Sequence, residues 1–181
     1  MVEYLTRETI RRNAGPISEQ ASIVRKAATR SPAGSTFLSH SSKDVDLLPG
    51  AIAILEAHGA QVYVDKKDEE LPPTTSRETA SILRNRIKQC SKFILLTTVN
   101  SKDSRWVPWE LGLADGFRQS SNVAIFPGVD STRDHAWSER EYLGVYDRIV
   151  YGDHRDYPKP IFMVWDQKDN TATELRAWLR R

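Results

Sequence analysis

The sequence predicts an α/β sandwich built on a parallel sheet, and three observations carry that reading. From residue 35 onward, short runs rich in apolar and β-branched residues alternate with segments of helical periodicity. The links between them are short, so successive parallel strands require right-handed crossovers that place helices on both faces. One run, Phe93-Ile94-Leu95-Leu96, is apolar without interruption, as a strand covered on both faces must be. Five such strands fit the flavodoxin-like order 2-1-3-4-5, a three-layer sandwich with its switch point between strands 1 and 3.

Residues 1–34 read as a helical extension ahead of a domain over 35–181. Ile17, Ala21, Val24 and Ala28 share one helical face, and six basic residues stand against Glu3, Glu8 and Glu19. Ser31-Pro32-Ala33-Gly34 breaks the helix and marks the boundary. Thr36 to Ser39 is the first strand, and it ends in the polar cluster His40-Ser41-Ser42. Leu48, Ala51 or Ile52, and Leu55 give the next helix, with Gly59 as its stop. Gln61 to Asp65 is the second strand, followed by a charged loop from Lys66 that ends in Pro72-Pro73-Thr74. Thr75 and Glu78 form a capping box for a helix that buries Ala80, Leu83, Ile87 and Cys90. Lys92 to Val99 is the third strand, and Trp109, Leu113 and Phe117 mark the helix after it. Asn122 to Phe126 is the fourth strand, stopped by Pro127-Gly128. A short strand is indicated at Arg148 to Tyr151. Ile161 to Trp165 is taken as the fifth strand, and Thr171 with Glu174 caps a final helix.

Composition removes several classes of function. Of the 181 residues 39% are hydrophobic, enough for a core, yet no stretch approaches the 18 apolar residues of a membrane span. The N-terminus lacks a secretory pattern, and a single cysteine excludes an intrachain disulfide, so a cytoplasmic location is expected, with no membrane partner. Four scattered histidines offer no metal-ligand spacing. The net charge of +2 argues against a nucleic-acid surface. Cys90 ends an apolar stripe and reads as core rather than nucleophile. No G-x-G-x-x-G motif is present, so a dinucleotide is not held here as in a Rossmann dehydrogenase.

The chemistry-bearing residues gather at one place in this topology. Ligands bind beyond the carboxyl ends of the strands at the switch point. The groups there are His40, Ser41 and Ser42 after strand 1, and Ser101, Asp103, Ser104, Trp106 and Glu110 after strand 3. The two sets are expected to face each other across one crevice. Trp106 and Glu110 lie four apart, on one face of a helix whose first turn accommodates Pro108. A glutamate in a first helical turn is ordinarily a partner for the helix dipole. The two tryptophans near this one, Trp106 and Trp109, add an apolar wall able to stack a planar ring.

Three blocks of these residues resemble the Toll/interleukin-1 receptor (TIR) domain family. They are Phe37-Leu38-Ser39-His40-Ser41-Ser42-Lys43-Asp44, Gly59-Ala60-Gln61-Val62-Tyr63-Val64-Asp65 and Ser104-Arg105-Trp106-Val107-Pro108-Trp109-Glu110-Leu111. Val107 stands where many TIR domains carry cysteine, and Pro72-Pro73 stands in the loop after Asp65 where the family commonly has glycine. The resemblance implies the same five-stranded parallel sheet, and it implies one of two roles: an assembly module without catalysis, or an enzyme that cleaves NAD+ at the nicotinamide–ribose bond. For the enzyme it implies Glu110 as the catalytic glutamate and Trp106 as the aromatic beside the nicotinamide riboside. His40, Ser41, Ser42, Asp65 and Ser104 would line the substrate pocket. NAD+ is then substrate, and neither cofactor nor metal is called for. The resemblance further implies head-to-tail homo-oligomers through the loop Lys66 to Thr74. In the bacterial antiphage systems of Thoeris type, it implies a cyclic ADP-ribose messenger acting on a separate effector. A nucleoside deoxyribosyltransferase-like enzyme, with an acid at the switch point of a related fold, stays open as a third reading.

Overall fold

Alternation along the two central strands places the core on both faces of one sheet. In β5 (Lys92–Thr97) and β6 (Val123–Val129) every residue is buried. Phe93, Leu95, Val123 and Ile125 point to one side, whereas Ile94, Leu96, Ala124 and Phe126 point to the other. The computed structural model describes residues 2–65, 76–104, 106–117, 120–132 and 141–181. On one face lie α1 (Arg7–Arg12), α2 (Ile17–Thr29), α3 (Leu48–Ala57) and α6 (Leu175–Arg180). On the other lie α4 (Arg77–Gln89) and α5 (Val107–Phe117).

The sheet is larger than its sequence suggests. With β3 (Thr36–Ser39), β4 (Val62–Tyr63), β7 (Asp147–Gly152), β8 (Ile161–Asp166) and β9 (Thr171–Glu174), its order is β4-β3-β5-β6-β7-β8-β9. The stretch from β4 to β7 is parallel, while β8 and β9 are antiparallel. Counted from β3 the parallel part runs 2-1-3-4-5, but its fifth position belongs to β7 and not to Ile161–Trp165. The reason is length: the link 153–160 is too short for a parallel crossover, so β8 must return as a hairpin. The Thr171/Glu174 capping box is likewise corrected. Both residues are in β9, reached from β8 through a turn in which Asn170 has φ +49° and accepts a hydrogen bond from Trp165 Nε1. β6 also runs on through Pro127-Gly128 instead of stopping there.

Residues 1–34 are not a helix laid outside the domain. β1 (Val2–Glu3) pairs antiparallel with β7 at Tyr151 and Gly152, and β2 (Leu5–Thr6) pairs parallel with β6 at Gly128 and Val129. These short strands fill the space where β6 and β7 part, since those two pair with each other only at their amino ends. Ile10 of α1 is fully buried, and its carbonyl oxygen lies where a Cβ on Gly50 would come within 1.8 Å. α1 therefore seats on α3 only because position 50 has no side chain. α2 is tied down at its end by Arg30, which donates to Glu56 and to the Val62 carbonyl, each at 2.6 Å.

Other expectations fare variously. α3 ends at Gly59 with φ +95°, a value suited to glycine. α4 is capped by Ser76, which accepts from the Thr79 amide at 3.1 Å, whereas Thr75 lies outside the described residues. Leu83, Ile87 and Cys90 are buried. α5 turns a different face inward from the one expected: Val107, Glu110, Leu111 and Ala114 are buried, and Phe117 is exposed. Among the described residues no helix is long and apolar enough to cross a membrane.

Candidate active site

The carboxyl end of β3 is where two side chains from distant parts of the chain first meet. Ser39, the last residue of that strand, is buried and shares a face with Phe37, toward α5. Its Oγ donates to Glu110 Oε2 at 2.5 Å, and Glu110 itself is only 1% exposed. Glu110 sits in the first turn of α5, its amide bonded to the Trp106 carbonyl at 2.9 Å. That bond carries the turn back to Trp106, whose half-buried ring meets Trp109 edge-on at 5.5 Å. Ser104 starts the turn, accepting from the Val107 amide at 3.3 Å. A buried carboxylate, a hydroxyl that donates to it and an aromatic ring one helical turn away thus share a single face.

The loops after β3 and β5 are locked together by a network that sequence reasoning did not single out. Asp44 is fully buried and accepts from Thr98 Oγ1 at 2.8 and 2.9 Å and from Asn100 Nδ2 at 2.8 Å. Lys43 and Asp103 add an exposed ion pair of 2.9 Å between the same loops. Hydrogen bonds to a charged acceptor are the stronger kind, so this network holds the two strand ends in fixed register. The signal available in the sequence was an acidic residue directly after a polar cluster. Ser39 could have been found from strand alternation.

The predicted substrate-lining residues do not all converge. Ser41 is buried, and its Oγ accepts from the Lys43 amide at 3.3 Å, capping a 3-10 turn over Ser42–Leu47. Ser42 is exposed at the head of that turn. His40 follows Ser39 and so leaves the strand on the opposite face, into a cleft roofed by α2 and bordered by Asp65. His40 and the Ser39–Glu110 pair thus lie on opposite sides of the end of β3. Burial lowers the His40 imidazole to about 4, against smaller upward pulls from the Leu38 backbone and Asp65. The ring is thus neutral near pH 7, and its buried Nδ1 has no hydrogen-bond partner among the described residues. Asp65 is buried and receives Arg86 Nη1 on both carboxylate oxygens, at 2.7 and 2.8 Å. Burial, with the Asp65 charge beside it, pushes the Tyr63 hydroxyl up to about 12.

Chemically, the Glu110 face suits a reaction that develops positive charge next to a planar group. A buried carboxylate oriented by a fixed donor stabilises a cation without reorganising, and an indole covers an adjacent ring.

Comparison with known proteins gives the family. Residues 36–158 match the TIR domain family, a span that takes in β3 to β7 and α3 to α5. A curated relative, "Probable 3' cyclic ADP-D-ribose synthase ThsB'" of Bacillus cereus (strain MSX-D12), is 41% identical over 118 residues. The aligned part covers 64% of this chain and 60% of that relative, so the chain spans about three fifths of the relative's length. With more than half of its residues inside the match, and with the carboxyl-end site formed by the matched segment, the chain belongs to the TIR domain family.

Proposed function

We propose that this protein cleaves NAD+ at the bond between nicotinamide and ribose, with Glu110 as the catalytic carboxylate. The observation that carries the reading is the buried Ser39–Glu110 pair in the first turn of α5 beside Trp106. The printed name of the relative, a cyclic ADP-ribose synthase, points to the same substrate. In NAD+ the leaving group is a pyridinium, so the electron pair of the broken C–N bond neutralises it and no general acid is needed. The demand falls on the ribosyl oxocarbenium-like transition state, as in glycoside cleavage. Glu110 meets that demand, held by Ser39 and by the turn that starts at Trp106. Trp106 walls the nicotinamide. Ser41 and Ser104 act through the turns they cap, Ser42 sits at the exposed rim, and His40 and Asp65 serve from the neighbouring cleft. Water capture of the cation, with loss of its proton, gives ADP-ribose, and capture by a hydroxyl or ring nitrogen of the same molecule gives a cyclic ADP-ribose.

The biological reading follows from the product: a cytoplasmic antiphage signal in which a nucleotide messenger activates a separate effector. Head-to-tail assembly of TIR domains, through the loop Lys66 to Thr74, is part of the same proposal, although that loop lies outside the described residues. A contact of this kind does not close on itself and builds open strings. Incubation of NAD+ with concentrated protein, followed by chromatography and mass analysis, tests the reaction. Nicotinamide should appear in amounts equal to ADP-ribose plus cyclic ADP-ribose, which is lighter than ADP-ribose by one water. Absence of nicotinamide at every concentration rejects the enzyme. Repeating the assay over a hundredfold dilution tests assembly, since turnover per molecule should fall on dilution and a flat line rejects it.

A further inference from the structure

The cleft beside His40 has a volume of about 530 Å³, within the range of small-molecule pockets. It opens at the carboxyl ends of β3 and β4, the end of such a sheet where ligands bind. One wall is α2, which lies outside residues 36–158, so the cleft is completed by this chain's own N-terminal segment. Its floor is apolar, with Val24, Leu48 and Val64, and its polar groups are few and differ in kind. Arg25 stands exposed at the rim, the Asp65 carboxylate is buried at one side, and the His40 ring is 4% exposed with Nδ1 unpartnered. A buried polar atom without a partner is costly, and a ligand that provides one recovers that cost.

This combination fits one half of a dinucleotide. An apolar floor accepts the face of a purine, and a neutral imidazole can donate or accept at the purine edge. A carboxylate beside it, held in place by Arg86, is the kind of group that accepts hydrogen bonds from ribose hydroxyls. A guanidinium at the mouth pairs with phosphate. Ser39 ends β3 and His40 follows it directly, one bonded to Glu110 and the other facing the cleft, so the two sites share the end of a single strand. We propose that this cleft holds the adenosine diphosphate half of the substrate, with Arg25 on the diphosphate and Asp65 on the ribose, while the nicotinamide end lies at Glu110. The inference rests on the NAD+ reading for the identity of the whole ligand.

The test does not depend on turnover. ADP is titrated by calorimetry into the full chain carrying Glu110→Gln, alone and combined with Ala21→Trp or with Arg25→Glu. Ala21 is an exposed lining residue of the cleft, so an indole there fills the space and leaves the core untouched. ADP should bind the Glu110→Gln protein, and each second substitution should weaken binding at least tenfold with the melting temperature unchanged. No binding of ADP, or equal binding by all three proteins, overturns the cleft as a nucleotide site. NAD+ should displace ADP from the Glu110→Gln protein. Simultaneous binding of the two would overturn the assignment to the substrate's own half and leave the cleft to a separate adenine nucleotide. If ADP binds as stated and wild-type protein releases no nicotinamide, the reaction fails and the cleft stands.

Discussion

The two ends of the parallel sheet both bury ionisable groups, yet they treat them differently. At the amino ends of β5, β6 and β7, Lys92 is 2% exposed, donates to Asn122 Oδ1 and stands 4.5 Å from the Trp178 ring. Its charge is answered by an amide and by an aromatic face. Asp147, half-buried at the same end, is pushed up to about 6 by burial, with Asp166 adding to the rise. At the carboxyl ends, His40 keeps a buried nitrogen without a partner beside an open cleft, and Glu110 is aimed by a serine at the mouth of a helix. Burial of a charge or a ring nitrogen is common to both ends, so burial alone does not mark a site. What sets His40 apart from Lys92 is a buried ring nitrogen that finds no partner among the described residues and borders a cleft, whereas Lys92 is met by Asn122 and Trp178.

Four outcomes break or sharpen that contrast. The largest concerns Glu110→Gln, which preserves an acceptor for Ser39 and removes the charge. Nicotinamide release should fall about 10²-fold or more with little change in melting temperature, as for loss of a main electrostatic stabiliser. Near wild-type turnover in folded protein would place the chemistry elsewhere. Next is Ile10→Ala, which leaves the carbonyl oxygen against Gly50 and removes the buried side chain that packs beside Gly50 and Gly128 of β6. Urea unfolding should show a loss of about 2–5 kcal/mol, the usual cost of deleting a buried isoleucine. A loss of a few tenths would mean that residues 1–34 are separable after all.

Lys92→Met tests the amino end. It keeps the length of the side chain but leaves the Asn122 oxygen without its donor, so stability should fall by about 1–3 kcal/mol. Turnover of NAD+ should stay as in the wild type, and a large loss of turnover would show that the amino end also serves the reaction. The smallest effect is in the pH dependence, where the two ends act with opposite sign. His40 has a lowered pKa in the folded state, so the unfolded chain binds more protons between about 4 and 6.5 and stability drops on acidification. That term amounts to about 1 kcal/mol between pH 6.5 and 5.5. Asp147 has a raised pKa, so its contribution drops as pH rises from 3.8 to about 6. His40→Phe should therefore flatten the acid limb of a stability–pH curve, and Asp147→Asn should steepen it. Identical curves for both variants would refute the assignment.

Much of this arrangement is legible in the sequence because its signals are local. Phe93 to Leu96 is a strand by composition, Gly59 stops a helix by its conformational freedom, and Trp106 with Glu110 share a face by spacing. The parts that escape are held by distant partners. β1 and β2 have two residues each, too few to show a period, and they exist because β6 and β7 leave room between them. Arg148 is buried within β7 and so obscures an apolar run; it donates to the Tyr4 hydroxyl and lies 5.9 Å from the Trp165 ring. α5 is apolar on nearly all sides, which hides the face it buries. The opposite placement of Ser39 and His40 had a local signal after all, because His40 directly follows the last residue of β3 and period two carries it to the other face.

The pairing of β1 with β7 has a consequence for synthesis on the ribosome. Val2 pairs with Gly152, 150 positions further along the chain. At about 5–20 residues per second, the first strand to emerge waits roughly 8–30 s for its partner. Through that interval Leu5 and Ile10, both buried in the finished protein, have no β6 or β7 to cover them. β1 and β2 thus dock only after β6 and β7 have been made, and until then the exposed segment is a natural landing place for chaperones.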